Sequence, residues 1–261
     1  MRDPPATSRS SYFWDGVAWA GSVAHLGAQT LRRSLLRPAT GSALVNQIDA
    51  VGVSSLAIVL LTAVFSSMVM TVQFALQLAR FGARDHVGPV VSLSLTRELA
   101  PVLTALLVGG RVGAGMAAEL GAMKVTEQID ALRAMGGDPV RELVVPRVLA
   151  VVVCLPLLTL VADVLGVGAG MGIAWLDGSS SAAFFFNASV HAVRVSDLAS
   201  GLFKTVFFGL GIALIACHEG LHAEGGTRGV GAATTRTVVI TSIVTLISDF
   251  FLTKLLLRFG L

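Results

Sequence analysis

The sequence predicts an all-α membrane protein with five transmembrane helices, an N-terminal interfacial helix and one further helix on the cytoplasmic side. Of its 261 residues, 54% are hydrophobic and only 13% are charged, about half the charged fraction of a soluble domain. The mean hydropathy of +0.79 indicates a protein that is dissolved in lipid. The 28 glycines suit closely packed membrane helices.

The charge and cysteine content exclude several other classes of function. The net charge is only +3 and the basic residues are spread along the chain, so no nucleic-acid interface is expected. Cys154 and Cys217 lie inside apolar runs, where an unmodified cysteine acts as a small hydrophobic residue. We therefore expect neither a disulfide framework nor a cysteine-based metal site.

The N-terminal region, residues 1–50, is predicted to hold a polar start and an interfacial amphipathic helix. The first twelve residues lack the apolar stretch of a secretory signal, so no cleaved signal is expected. From Phe13 to Leu36 one helical face is apolar, tryptophans flank it and arginines follow, as in a helix that lies at headgroup depth. The face is Phe13, Val17, Ala24, Leu31 and Leu35; the flanking residues are Trp14, Trp19, Arg32, Arg33 and Arg37. A short helix packed on the rest of the protein is the alternative.

The remainder of the chain, residues 51–261, is predicted to be one membrane domain. Residues 51–79 contain no Asp, Glu, Lys, Arg or His and would span about 44 Å as a helix. Four further spans are each interrupted by one or two charged residues: 87–110 by Arg97 and Glu98, 148–176 by Asp163, 198–217 by Lys204, and 238–257 by Asp249 and Lys254. With the N-terminus inside, eleven Lys and Arg residues lie on the inner side and four outside, which favours an N-in, C-out protein.

A charged segment, residues 119–147, separates the second and third spans. Its nine charged residues cannot lie in hydrocarbon, so we place it on the cytoplasmic side. Val125, Ile129, Leu132 and Met135 recur at helical spacing, and Gly136, Gly137 and Pro139 end the run. This short amphipathic helix either covers the bundle or docks into a groove of a cytoplasmic partner.

The chain lacks the residues to power transport by itself. A phosphate-binding loop of the Gly-x-x-x-x-Gly-Lys-Ser/Thr type needs glycine before its lysine, whereas the three lysines follow Met, Phe and Thr. Any energy for uphill movement must therefore come from another subunit, and we expect the chain not to be an enzyme.

One motif points to a different function. Residues 218–222 read His-Glu-Gly-Leu-His, a pattern in which His218 and His222 bind Zn²⁺ and Glu219 activates water. An intramembrane zinc metalloprotease is therefore the alternative function. Against it, Gly220 lies within the motif, two glycines follow, and no third ligand is evident unless Asp249 serves.

The adjacent pair Arg97 and Glu98 is a candidate site because charges inside a membrane are costly. On a helix the two side chains point about 100° apart, so each needs its own partner or a water-filled cavity. If residues 87–96 instead form a loop and a re-entrant stretch, the pair lies at the interface. Lys204, Asp163 and Asp249 are expected to satisfy one another between helices.

Several long motifs then identify a resemblance. Arg97-Glu98-Leu99-Ala100-Pro101-Val102-Leu103, Gly110-Arg111-Val112-Gly113-Ala114 and residues 118–132 (AELGAMKVTEQIDAL) occur in order, followed by residues 202–209 (LFKTVFFG), 229–239 (GVGAATTRTVV) and 249–253 (DFFLT). This order resembles the MlaE/YrbE permease family, from about Leu44 to the C-terminus. The motif at 218–222 has no counterpart in that pattern.

The resemblance implies a permease subunit of an ABC transporter that moves phospholipids or related lipids between the bacterial inner membrane and an MCE-domain carrier, contributing to outer-membrane lipid asymmetry or envelope lipid trafficking. It implies a second permease chain in a homodimer and a cytoplasmic ATPase that binds ATP and Mg²⁺, with no cofactor in this chain. The lipid cavity would involve Met68, Val69, Val72, Arg97, Glu98 and Leu99. A coupling helix would contact the ATPase through Val125, Glu127, Gln128, Ile129, Asp130, Leu132, Met135 and Gly136.

Overall fold

The protein is a bundle of α-helices in the computed structural model, which describes residues 9–36 and 41–258. No β-strand occurs within these two ranges. The α-helices are α1 (Arg9–Leu36), α2 (Gly41–Ile48), α3 (Ser54–Arg80), α4 (Val87–Ser94), α5 (Ala100–Val108), α6 (Ala114–Val125), α7 (Gln128–Ala134), α8 (Val145–Leu176), α9 (Ala182–Ala192), α10 (Val195–Leu221) and α11 (Gly226–Arg258).

Within the described residues, five helical stretches are long and apolar enough to cross a membrane, which confirms the predicted number and order. They are Gly41–Arg80, Arg84–Val125, Val140–Leu176, Val195–Leu221 and Gly226–Arg258. Because successive spans alternate in direction, α7 and the turn between α10 and α11 lie at one end of the bundle. The turn before α4 and helix α9 lie at the other. We refer to these ends as the α7 face and the α9 face.

All five stretches extend beyond their predicted bounds. The first begins at Gly41, within the region assigned to the N-terminal segment, and the second continues through Glu119 to Val125. Much of the charged segment 119–147 is therefore a continuation of the spans. Arg147 Nη2 pairs with Glu119 Oε2 at 3.0 Å, so two charges that sequence reasoning placed in a loop join the second and third spans at the α7 face.

In the described part of the chain, four π-helical segments interrupt the α-helices: Asp49–Val53, Leu95–Leu99, Gly109–Gly113 and Val140–Val144. Such widened turns are frequent at functional sites. Pro101 lies just after the second segment, Leu95–Leu99. Because proline has no N–H, it cannot donate a hydrogen bond to the carbonyl of Arg97, four residues earlier. That carbonyl instead accepts a hydrogen bond from Lys204 Nζ at 3.1 Å. A side chain from α10 thus supplies the donor that the helix backbone lacks at this carbonyl.

Small residues bring the helices into close contact around this turn. A Cβ on Gly201 would lie 2.4 Å from the backbone oxygen of Thr96, and one on Gly170 would lie 2.8 Å from Thr71 Oγ1. Glycine is therefore required at both positions, since it lets α10 touch the π-helical turn and lets α8 pack on α3. The main buried core lies among α3, α5, α6, α8 and α10.

Helix α1 packs one face on the bundle and leaves the other exposed. Leu26 and Thr30 are buried, whereas Val17 and Leu31 are exposed. The side chains of Phe13 and Leu35 lie outside the described residues. The exposed apolar face is the kind predicted for a helix that lies at the membrane interface. The buried face is the kind expected of the alternative, a helix packed on the rest of the protein. Helix α1 therefore has both features.

Candidate functional site

A cluster of five charged side chains lies in the α9 half of the bundle, where the π-helical turn Leu95–Leu99 meets α10 and α11. Arg97 Nε lies 3.4 Å from Asp197 Oδ1. Glu98 Oε2 accepts a hydrogen bond from Lys204 Nζ at 2.8 Å. The two adjacent residues therefore have separate partners, as their helical positions predicted. The stretch before them is helical, so the loop alternative for residues 87–96 is wrong.

Lys204 is the centre of the cluster and is 2% exposed. Besides Glu98 and the carbonyl of Arg97, its ammonium lies 3.1 Å from Asp249 Oδ1 on α11. The last contact is an ion pair without hydrogen-bond geometry, because Asp249 Oδ1 accepts no hydrogen bond from a described residue. The predicted pairing of Lys204 with Asp249 is present. Asp163 is not part of it: its Oδ1 is buried without a hydrogen-bond partner among the described residues.

Asp197 belongs to the cluster and was not identified from the sequence. Its Oδ2 accepts a hydrogen bond from the backbone N–H of Arg194 at 2.8 Å, which caps the first turn of α10. Its other oxygen faces Arg97. The available signal was an acidic residue in the first turn of a span, a position that ordinarily indicates only capping.

Two adjacent cavities of about 270 and 410 Å³ open on the cluster. Leu93, Arg97 and Leu257 line both. The first is also lined by Glu98, Lys204, Thr253 and Leu256. Since Arg97 meets Asp197 through Nε, both Nη groups have no hydrogen-bond acceptor among the described residues. The site thus combines apolar walls with a guanidinium that has donors available for an oxyanion.

The other predicted cavity residues lie elsewhere in the single chain. Met68, Val69 and Val72 are on α3, and Leu99 packs against the buried core. None of the four lines either cavity. Val69 is exposed on a helix whose outer face is apolar. A contribution of these α3 residues to a cavity shared with a second copy stays a prediction.

The predicted coupling helix corresponds to α7 (Gln128–Ala134), but it is shorter than predicted: Val125 ends α6 and Met135 follows the last residue of α7. The apolar stripe is divided between two roles. Ile129 is fully buried and Leu132 is partly buried, so they hold the helix on its own bundle as in the covering alternative. Met135 is 78% exposed, and Glu127 and Gln128 are exposed at the other end of α7. Ile129 therefore has no surface with which to contact a partner, while Met135 protrudes.

Turn geometry and one carboxylate fix the orientation of α7. Glu127 has φ of +61° before the helix and Gly136 has φ of +80° after it. Asp130 accepts hydrogen bonds from Lys124 and Arg133, each at 3.0 Å. The hydrogen bond from Lys124, together with Arg133, holds the pKa of Asp130 below its ordinary value of 3.8. Asp130 thus links the end of α6 to α7.

The His-Glu-Gly-Leu-His motif has a structural role in this geometry. Glu219 accepts a hydrogen bond from Trp19 Nε1 at 2.7 Å and faces Arg236 Nε at 3.4 Å. His218 Nε2 is 2.7 Å from Ser22 Oγ, and the ring centroids of His218 and His222 are 4.3 Å apart in a stacked arrangement. Within residues 9–36 and 41–258 no three His, Cys, Asp or Glu side chains converge. The motif joins α1, α10 and α11 and does not have the geometry of a zinc site.

Comparisons with known proteins agree with the architecture. The family model described as Permease MlaE matches residues 44–255. A probable ABC transporter permease protein of Rickettsia felis is 42% identical over 228 residues, covering 86% of this chain and 87% of the relative. One of Synechocystis sp. is 44% identical over 214 residues, covering 82% and 81%. The protein TRIGALACTOSYLDIACYLGLYCEROL 1, chloroplastic, of Arabidopsis thaliana is 36% identical over 247 residues, covering 95% and 69%.

Proposed function

Because this chain belongs to the MlaE permease family and is a membrane permease subunit of the ABC transporter type, we propose that it moves phospholipids or related lipids between the inner membrane and an MCE-domain carrier. The observation that carries the proposal is the Arg97 cavity. Its leucine walls suit acyl chains, and the Nη groups of Arg97 suit a phosphate. The name of the plant relative refers to a galactolipid, which supports a lipid as the cargo class.

The proposal assigns the two faces of the bundle to two partners. Membership of the family implies an ATPase subunit, and we place it against α7 at the cytoplasmic end. ATP and Mg²⁺ would bind that subunit. The Arg97 cavities lie in the opposite half of the bundle, beside the start of α10 and the end of α11. A carrier at the α9 face would therefore meet the lipid where the cavities open.

A second permease chain would complete the transporter. The spans that contain α3 and α11 are much less buried than the other three, and α11 supplies Thr253 and Leu256 to the Arg97 cavity. Lipid alone or a second copy could cover these faces. We propose a second copy, because a homodimer would close the open side of the cavity and bring the α3 residues Met68, Val69 and Val72 to it.

The lipid assignment is tested by ATP hydrolysis of the reconstituted complex as a function of phospholipid concentration. Arg97→Lys keeps the charge but loses the two-pronged donor geometry that matches phosphate. We expect it to raise the phospholipid concentration for half-maximal stimulation about tenfold, the loss of one charge-assisted hydrogen bond. Arg84→Lys, an exposed position on the α9 face, is the matched control. If both variants had the same half-maximal phospholipid concentration, Arg97 would not be the phosphate ligand.

The ATPase contact is tested by co-purification with the tagged chain. Met135→Asp places a charge on the exposed side chain of the α7 region, whereas Phe81→Asp does so at the opposite end, where Phe81 is also exposed. We expect Met135→Asp to release the ATPase and Phe81→Asp to retain it. Full retention in both variants would show that the ATPase does not dock at α7. Charge reversal at Glu127 with Asp130 is a less specific test, since Asp130 also holds α7 in place.

A further inference from the structure

A groove separate from the Arg97 cavities lies on the outside of the bundle, between α8 and α9. Its volume is about 330 Å³, within the range of small-molecule sites. Its walls are apolar and include Val164, Val167 and Met171 from α8 and Phe186 and Val190 from α9. Val164, Phe186 and Val190 are exposed. The groove therefore opens toward the surrounding bilayer.

Three buried polar side chains line this groove without hydrogen-bond partners among the described residues: Asp163, Ser92 and Ser189. All three are more than nine-tenths buried. An unpartnered buried hydroxyl or carboxyl is costly, and a carboxyl inside a membrane is especially so. Such groups in one apolar groove indicate that a ligand, absent from the single chain, supplies their partners.

The chemistry of the groove restricts that ligand. Of the described residues that line it, none is Lys, Arg or His, so a phosphate would meet no cation there. A hydroxyl group both donates and accepts, so it can exchange hydrogen bonds with the carboxyl of Asp163 and with the two serines. The apolar walls suit hydrocarbon. A neutral lipid that carries a free hydroxyl satisfies both requirements, whereas an anionic phospholipid satisfies only the second.

We propose that the groove between α8 and α9 is a second lipid site, which binds a neutral hydroxyl-bearing lipid through Asp163, Ser92 and Ser189. It is distinct from the Arg97 cavities in position and in ligand chemistry. The first offers a guanidinium to an anionic headgroup, whereas the described lining of the second offers no cation. The groove does not depend on the transport function proposed above, since its evidence comes from different residues.

The probe is a diacylglycerol with a photoreactive diazirine on one acyl chain, bound to the full chain in nanodiscs and mapped by peptide mass spectrometry. We expect saturable labelling of peptides from α8 and α9, competed by unlabelled diacylglycerol and not by phosphatidylglycerol. Labelling spread evenly over all bilayer-exposed helices would overturn the proposal. Equal competition by the two lipids would do so as well.

Two variants separate the ligand contacts from the fold. Asp163→Leu removes the carboxyl, and we expect up to about tenfold weaker labelling, the loss of one buried hydrogen bond. Asp163→Asn keeps a polar group of the same shape and should retain most of the labelling. Gly168→Leu leaves Asp163 intact but fills the groove, because a Cβ at Gly168 meets nothing within 4 Å. Gly115→Leu in α6, which also meets nothing, is the control. Unchanged labelling in Gly168→Leu would refute the site.

Discussion

Replacement of Lys204 by leucine tests whether the charged cluster is a stabilising unit or a set of independent contacts. The ammonium is almost fully buried and faces two carboxylates, Glu98 and Asp249, and the carbonyl of Arg97. Its removal leaves two like charges close together and a backbone acceptor that Pro101 cannot satisfy. Loss of one partner from a buried ion pair costs about 3–5 kcal/mol.

The structure places the expected cost at the lower end of that range. Glu98 is 42% exposed and Asp249 is 20% exposed, so the cavity screens part of the uncompensated charge. We therefore expect Lys204→Leu to lower the free energy of unfolding by about 3 kcal/mol, a factor of more than one hundred in the folded-to-unfolded ratio. Lys204→Leu with Asp249→Leu should cost less than the sum of the two single changes, because the second change removes a charge that the first left unpaired.

The assay is reversible unfolding in mixed micelles, followed by tryptophan fluorescence, for the two single variants and the double variant. Lys254→Leu, an exposed lysine on the same helix as Asp249, is the control and should change the unfolding free energy by less than about 0.5 kcal/mol. Strictly additive effects of Lys204→Leu and Asp249→Leu would refute the reasoning, since independent contacts would then account for both.

Three further predictions concern the α7 face. Glu127→Gly should raise stability, because φ of +61° strains any residue with a Cβ; lower stability in thermal unfolding would contradict this. The lowered pKa of Asp130 means that its pairing stabilises the protein above the ordinary pKa of 3.8 and is lost as pH falls further. The stability difference from Asp130→Asn should shrink on acidification, and a constant difference would exclude the pairing. Trp19→Phe should remove the hydrogen bond to Glu219. We expect the local stability of α1 to fall by about 1.5–3 kcal/mol, measured as faster hydrogen exchange of its amides. Unchanged exchange would show that this contact does not hold α1 on the bundle.

The sequence predicted the number and order of the spans because apolar runs of about twenty residues, even with one or two charges, have few other solutions in a membrane. Span ends were placed too far inward, because residues such as Glu119 and Arg147 neutralise each other across two helices, which composition along one chain does not reveal. The pair Arg97 and Glu98 was found from the cost of buried charge. Asp197 was missed because it lies one residue before the predicted span 198–217, so the cost of buried charge did not single it out. The division of α7 into a buried Ile129 and an exposed Met135 depends on tertiary packing that a helical stripe alone does not specify.

The π-helical turn Leu95–Leu99 has a consequence for how such spans change by insertion and deletion. Its i→i+5 hydrogen bonding accommodates one residue more than an α-helical turn. Loss of one residue there would leave a continuous span but would rotate everything before it by about 100° relative to α5. The face carrying Ser92 and Leu95 would then turn away from its present neighbours while the apolar character of the span stayed the same. A single codon could thus redirect a membrane-facing surface without a change in topology.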